Sequence, residues 1–403
     1  MCLTAKDNAW QGREQVNLRQ LITMVSESII NTCYHRSLSL IVALIFSALQ
    51  IALPFTVNAQ QDSQSQEPKP VELMPATIAD DEVVQFFRTA AVFNPQSETW
   101  RVPIHAWVYE PQKSRFRKAV FSWALNAKYQ LRVGEEHFPH YDRRLNLLIA
   151  DNERGKTPVI EIAGQRYALP PSAGNGHIRA EFSLPNSTVQ EFQRNDLLTF
   201  TAKANNGQEF HGQVQLLRDE GLSVISDIDD TIKISEVLDH QRLVDNTFLK
   251  PFVAVPGMSE AYHRLTGSVT AFHFVSSSPW QLYAPLQELA DTENFPWATF
   301  SLKAIRFRDM TLFDLFKPGT VTKPLQIDAL LKQFPNRRFI LIGDSGEQDP
   351  EVYAAMDTTN PDQIARIFIR NITNETLNNQ RFKPLVENSA KWHLFTDPVD
   401  IRL

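Results

Sequence analysis

Cysteine is almost absent from this 403-residue sequence, occurring only as Cys2 and Cys33. A chain with no thiol beyond residue 33 needs no disulfide and risks none in an oxidising compartment. Blocks of Lys and Arg are also missing, and the formal charge of −6 at pH 7 is mild. That balance argues against nucleic acid as a partner and against attraction of the whole molecule to an anionic membrane. No internal repeat is visible. At roughly 100–200 residues per domain, the length allows two or three domains and a sizeable core.

One long apolar run is present, from Leu38 to Phe55, preceded by His35 and Arg36 and followed by Val57-Asn58-Ala59. This is the layout of a secretory signal with cleavage before Gln60, so residues 1–59 read as a signal peptide and the mature chain as exported, periplasmic or envelope-associated. Met24 is an alternative start that leaves a shorter n-region. An uncleaved anchor is the competing reading, since about 18 apolar residues is close to the minimum for a bilayer span. Neither cysteine follows the run, so no lipid-modified cysteine is indicated at the new N-terminus. Residues 60–81 are rich in Gln, Ser, Pro and acid without apolar periodicity, as in a disordered tether.

Residues 82–218 show short alternating runs, among them Trp100 to Tyr109, Ile178 to Leu184 and Gly212 to Leu217, separated by turn signals such as Ala173-Gly174-Asn175-Gly176. The pattern predicts a mainly antiparallel β-sandwich, interrupted by one helix over about 113–129. It contains no metal cluster and no nucleophile-base pair, which leaves a structural or binding role.

Residues 219–403 change texture. Apolar strands Leu222 to Ser226, Val269 to Val275, Arg338 to Ile342 and Ala365 to Ile369 alternate with amphipathic segments, the signature of a parallel α/β sheet. Ligands in such sheets collect beyond the carboxyl ends of the strands. There the first strand runs into Asp227-Ile228-Asp229-Asp230-Thr231, the second into Ser276-Ser277-Ser278-Pro279, and the third into Gly343-Asp344-Ser345-Gly346-Glu347-Gln348-Asp349. Lys323 precedes the helix feeding the third strand. A cation there opposes the helix dipole, and such local violations tend to mark function. Ser278-Pro279-Trp280-Gln281 reads as a helix cap with proline at the first position, and Asp349 before Pro350 reads equally as a cap or a ligand. Asp230 has no evident role.

These motifs, in this order, resemble the signature of the haloacid dehalogenase superfamily, which implies a Rossmann-like parallel sheet. Carried over position by position, the resemblance implies Asp227 as nucleophile, Asp229 as general acid and base, Thr231 holding the loop, and Ser276 and Lys323 binding the phosphoryl group. It assigns Mg²⁺ to Asp227, Asp229 and Asp344, with Asp349 in support. The chemistry is coherent: a carboxylate can attack a phosphate dianion only if positive charge lies between them, and Mg²⁺ takes one or two carboxylates with phosphate and water.

Longer runs narrow the resemblance. Ser226 to Lys233, Val255-Pro256-Gly257-Met258, Ser276 to Tyr283 and Phe339 to Tyr353 are similar to the catalytic domain of the actin-patch phosphatidate phosphatase family, over roughly Gly221 to Leu394. That implies Mg²⁺-dependent conversion of phosphatidate to diacylglycerol and a transient encounter with a membrane surface. Actin-related roles are not carried over, because no adaptor motif accompanies the export signal. Lys303, in a Leu-Lys pair, is the cation the resemblance offers for headgroup contact. Aromatic and basic residues between Phe295 and Lys323, including Trp297, Phe300 and Phe307, suit either an acyl chain under an anionic headgroup or an ordinary core with a solvated face. Two other functions stay open: a general periplasmic phosphomonoesterase, and a non-catalytic lipid-binding envelope protein. Oligomeric state is not legible.

Overall fold

Alternation of apolar and polar residues builds the first sheet. In the computed structural model, which describes residues 78–304, 322–376, 378–382 and 390–403, the strands are β1 (Val83–Phe87), β2 (Thr89–Asn94), β3 (Thr99–Glu110), β4 (Asp151–Asn152), β5 (Val159–Ile162), β6 (Gln165–Ala168), β7 (His177–Pro185), β8 (Leu197–Lys203) and β9 (Glu209–Leu217). On β7, Ile178, Ala180, Phe182 and Leu184 are buried while the residues between them are not. Strands with one wet face read this way. The order is β1-β3-β2-β9-β8-β5-β6, with β4 and β7 attached to β3. All pairings are antiparallel except β2 with β9.

Instead of two separate sheets, one hydrogen-bonded sheet encloses a common core of residues such as Val102, Ile160, Phe182 and Phe200. The bridging element is β3. At 12 residues it is long enough to pair with β1 and β2 on one side and with β7 on the other. Between β3 and β4 the chain inserts two helices, α1 (Arg115–Tyr129) and α2 (Phe138–Leu148). The sequence predicts the first alone. On α2 the apolar stripe Tyr141, Leu145, Leu148 is interrupted by a buried arginine, Arg144, whose guanidinium bonds the Thr247 carbonyl at 3.0 Å and covers the Phe252 ring. A short helix α3 (Asn186–Phe192) follows β7.

The second sheet is wholly parallel, in the order β12-β11-β10-β13-β14-β15. Its strands are β10 (Gly221–Asp227), β11 (Ala271–Pro279), β12 (Ala298–Lys303), β13 (Arg337–Asp344), β14 (Ile364–Arg370) and β15 (Trp392–Phe395). Between them run α4 (His240–Phe248), α5 (Met258–Leu265), α6 (Tyr283–Thr292), α7 (Thr322–Gln333) and α8 (Asp349–Thr359). Central strands covered on both faces lose alternation: Phe339, Ile340, Leu341 and Ile342 of β13 are all fully buried. β10 and β13 lie side by side, and the order diverges from there in both directions. Their carboxyl ends therefore form the crevice in which doubly wound sheets bind ligands.

Phe87 and His105 of the first sheet pack against Trp280, in the turn after β11, and Phe87 also meets Tyr283 at the start of α6, with Phe87 to Trp280 at 4.4 Å and His105 to Trp280 at 4.5 Å between ring centres and Trp107 in the same apolar cluster. Within this cluster His105 Nε2 and His177 Nδ1 are 2.9 Å apart, so one ring donates to the other, and burial favours the neutral form of both. Burial and the nearby Arg179 charge hold His177 down at about 3. Its folded value lies below the unfolded one, so its contribution is fully present above about pH 6.5 and is lost as pH falls toward 3. Between pH 6.5 and 5 the protein is expected to lose about 2 kcal/mol through this histidine. Urea titrations at both pH values check this: His177→Gln should show a shallower pH dependence than wild type.

The proposed signal peptide and most of the linker, residues 1–77, lie outside the described residues, as does 305–321 with Phe307. Among the described residues no helix is long and apolar enough to cross a membrane.

Candidate active site

The crevice is lined from three strand ends and two helix starts. Asp227 is the last residue of β10 and is completely buried. Its Oδ2 accepts from Thr231 Oγ1 at 3.3 Å, and its Oδ1 lies 2.8 Å from Lys323 Nζ, an ion pair without hydrogen-bond alignment. Asp344, the last residue of β13, accepts through Oδ1 from the Gly346 amide at 2.6 Å, while its Oδ2 is buried with no donor. Asp349 opens α8. Its Oδ1 accepts from Lys323 at 2.6 Å and its Oδ2 from the Asp344 amide at 3.2 Å. Asp349 thus serves the site and does not cap the helix. Glycine is required at Gly343, where a Cβ would collide with the Asp349 carboxylate.

One carboxylate oxygen each from Asp227, Asp344 and Asp349 lies within 4.8 Å of the others. Glu347 joins them, 2.9 Å from Lys323 Nζ. Three carboxylates thus meet one ammonium, with Asp344 beside them. Burial opposes its charge, yet Asp227, Asp349 and Glu347 together push the Lys323 pKa well up. Asp227 and Asp344 are also pushed well up, first by burial and then by Asp349 and Glu347, with Asp344 adding to the effect on Asp227, because one lysine does not neutralise the group. A buried, oxygen-only donor set with surplus negative charge and two unbonded carboxylate oxygens fits a hard divalent cation.

Asp229 does not join this group. Lys233 Nζ is 2.8 Å from its Oδ1, Ser235 donates to the same oxygen at 2.6 Å, and Ser276 and Ser278 donate to Oδ2 at 3.1 and 3.3 Å. Burial would raise its pKa, but the Lys233 charge and these hydrogen bonds bring it down to about 2. The carboxylate is held as an anion and stands outside the group formed by Asp227, Asp344 and Asp349. Ser276 faces Asp229, with its Oγ also accepting from the Ser278 amide at 2.9 Å. Ser278 is not a helix cap: β11 continues through Pro279, and the following turn Trp280–Leu282 has no side-chain cap. Ser277 Oγ is buried without a partner.

Three contributors escape the sequence reading. Lys233, 2% exposed, holds Asp229 and stands 5.0 Å from the Phe252 ring. Glu347 flanks Lys323. Asp230, in the left-handed region at φ 52°, accepts from the amides of Ser235, Glu236 and Val237 at 2.8, 2.9 and 2.6 Å. It ties the loop after β10 into one shape, and that is the role it lacks in sequence. Lys303 ends the edge strand β12, level with Pro279. Phe300 is core, edge-on to Phe274 and Tyr283, and Trp297 bonds Gln213 under the Arg88 guanidinium, so neither faces an acyl chain.

Comparison with known proteins bears on the same segment. Residues 222–371 match the family described as phosphatidate phosphatase APP1, catalytic domain. Those residues belong to that family. Phosphatidate phosphatase APP1 of Saccharomyces cerevisiae is 34% identical over 159 residues, 38% of this chain and 26% of its own length. An uncharacterized protein of Schizosaccharomyces pombe, C29B5.04c, is 32% identical over 182 residues, 44% of this chain and 30% of its own. This chain therefore spans under a third of either relative. A solved chain from Thermotoga maritima, 16% identical over 44% of this chain and 95% of its own, superposes with a TM-score of 0.27, too low to carry an argument. The APP1-type catalytic domain holds every carboxylate of the crevice, together with Lys233, Ser276 and Lys323.

Proposed function

We propose that this chain is an envelope phosphatidate phosphatase that forms an aspartyl-phosphate on Asp227 and uses Mg²⁺. The supporting observation is the convergence of Asp227, Asp344 and Asp349 within 4.8 Å, with Lys323 2.8 Å from Asp227. Asp227, Asp344 and Asp349 would hold the cation, whose charge there offsets the repulsion between a phosphoryl dianion and the attacking carboxylate. Asp227 attacks phosphorus and forms a new phosphorus–oxygen bond as the bond to the diacylglycerol oxygen breaks. Lys323 stabilises the equatorial oxygens. The hydroxyls of Ser276 and Ser278 can turn from Asp229 onto the phosphoryl group and free Oδ2. With that oxygen free, Asp229 can take up a proton and give it to the leaving alkoxide, and it later takes one from the water that splits the aspartyl-phosphate and restores Asp227. Lys233 and Ser235 keep its other oxygen fixed throughout.

A lipid substrate is favoured by the rim. Leu238, Val253 and Leu325 are 60%, 48% and 64% exposed, and they belong to the loop tied by Asp230, the loop following α4, and the helix start two residues beyond Lys323. Exposed large apolar side chains on segments that adjoin crevice residues along the chain suit an acylated substrate. The apolar run before residue 60 supports export to the envelope. The purified chain should release phosphate from phosphatidate in mixed micelles with Mg²⁺, and lose that activity in chelator. Release confined to soluble sugar or nucleotide phosphates would instead favour a general phosphomonoesterase.

A further inference from the structure

After β14 the chain returns to the crevice from its outer side and reaches a single 3-10 turn, Gln380–Phe382, which lies beyond the residues 222–371 that match the APP1-type family. Phe382 is fully buried in the apolar cluster that holds Val352 and Tyr353 of α8, so the turn is pinned to that helix. Arg381, beside it, is 20% exposed. Its Nη1 donates to the Ser345 carbonyl at 2.7 Å and its Nη2 to the Glu347 carbonyl at 2.6 Å. Nε and Nη2 meet the two Glu351 oxygens at 2.9 and 3.0 Å, and Nη1 reaches Glu375 at 3.3 Å. A guanidinium presents its donors in a rigid planar fork, so this set of bonds holds one geometry.

The two carbonyls belong to the loop that shapes the Asp344 carboxylate. In a trans peptide the C=O and N–H point in opposite directions. Holding the Ser345 carbonyl outward on Arg381 therefore turns the N–H of the same peptide, that of Gly346, inward, where it donates to Asp344 Oδ1 at 2.6 Å. The Glu347 amide adds a longer bond to the same oxygen at 3.3 Å, and Oδ2 is left buried without a donor. The clamp on Glu351 acts on a second ligand, because Glu351 and Asp349 share the first turn of α8. One side chain thus joins the loop after β13 to the start of α8, which together carry two of the three carboxylates that converge within 4.8 Å. The base of the loop is held independently: Ser345 Oγ accepts from the amides of Ile372 and Thr373 at 3.0 and 3.1 Å. What Arg381 adds is the direction of the peptide planes.

We propose that Arg381 is a positioning residue for the divalent-cation site, setting the Ser345–Glu347 loop and the start of α8 so that Asp344 offers a free carboxylate oxygen beside Asp349. It acts through the ligands and touches neither cation nor substrate. Groups that orient metal ligands from outside typically contribute about 10- to 100-fold to metal affinity. A role in the fold alone accounts poorly for these contacts. Glu351 is 49% exposed, and an ion pair with so wet a carboxylate contributes little to stability, whereas the two carbonyl bonds are made to the one loop that surrounds Asp344. The inference rests on the cation in the reading above and does not depend on a lipid substrate.

The test is titration calorimetry of Mg²⁺ into the full purified chain, at a temperature where melting curves in chelator show wild type and variant both folded. Arg381→Met should bind Mg²⁺ about 10- to 100-fold more weakly than wild type. Arg381→Lys, whose ammonium cannot span both carbonyls and Glu351, should fall between the two. Glu375→Gln, which removes a charge beside the same guanidinium without touching the loop, should bind as wild type does. A residue serving the fold alone would lower the melting temperature and leave the affinity of the folded protein unchanged. Mg²⁺ affinity in Arg381→Met equal to that of wild type would overturn the proposal and leave the phosphatase reading intact; if only Arg381→Lys folds, its affinity decides in the same way. Failure of both variants to fold would also overturn it, and a wild-type chain that takes up no Mg²⁺ would overturn both. Weaker Mg²⁺ binding by Arg381→Met in a protein inactive on phosphatidate would leave the proposal standing and remove the lipid-phosphatase reading instead.

Discussion

Replacing Asp227 with asparagine is expected to lower phosphomonoester turnover at least about 10³-fold without unfolding the protein. Asparagine keeps the volume of a fully buried side chain and the contact with Thr231, but it lacks the anionic oxygen that would bond phosphorus. The substitution also removes one of three carboxylates crowded around Lys323, so thermal stability in chelator should be no lower than that of wild type. Steady-state kinetics on phosphatidate and a melting curve together make the measurement. Full activity in this variant would exclude Asp227 as the nucleophile.

Lys323→Met should be damaging in two separable ways. The ammonium is 3% exposed and meets Asp227, Glu347 and Asp349 at 2.8, 2.9 and 2.6 Å. Removing one partner from a buried ionic group leaves the others uncompensated, a loss of about 3–5 kcal/mol. Chelated protein should therefore unfold at clearly lower urea, whereas added Mg²⁺, taking over part of the neutralisation, should recover stability more in the variant than in wild type. Activity at saturating Mg²⁺ should still fall about 10²- to 10³-fold, because a point charge aimed at the phosphoryl oxygens is gone. A variant as stable as wild type in chelator would mean that the carboxylates are already protonated in the resting protein.

What could be read from sequence follows from where each residue's partners lie. β10, β11, β13 and β14 announce themselves because strands buried on both faces must be continuous apolar runs. The edge strands β12 and β15 do not: each has one neighbour, and β15 is only four residues long. The left-handed Asp230 and the buried Lys233 are invisible for a related reason. Their hydrogen bonds and ion pair close a loop whose shape exists only after folding, so nothing in the local pattern marks them. The cap-like readings of Ser278 and Asp349 fail because a residue that can cap a helix can equally turn toward a strand end. Here the pull of Asp229 on one and of Lys323 on the other decides the matter. Asp227, Asp344 and Lys323 were legible because each combines an ionisable side chain with a position just past a strand or at a helix start, where a purely structural residue would be apolar or a cap.

Acid-quenched mass spectrometry of the protein mixed with phosphatidate and Mg²⁺ tests the central claim most directly. The account predicts a phosphoryl adduct on the peptide containing Asp227, formed within one turnover, absent in chelator and absent from Asp227→Asn. Phosphate release at the wild-type rate with no adduct on Asp227, or an adduct on any other residue, would contradict it.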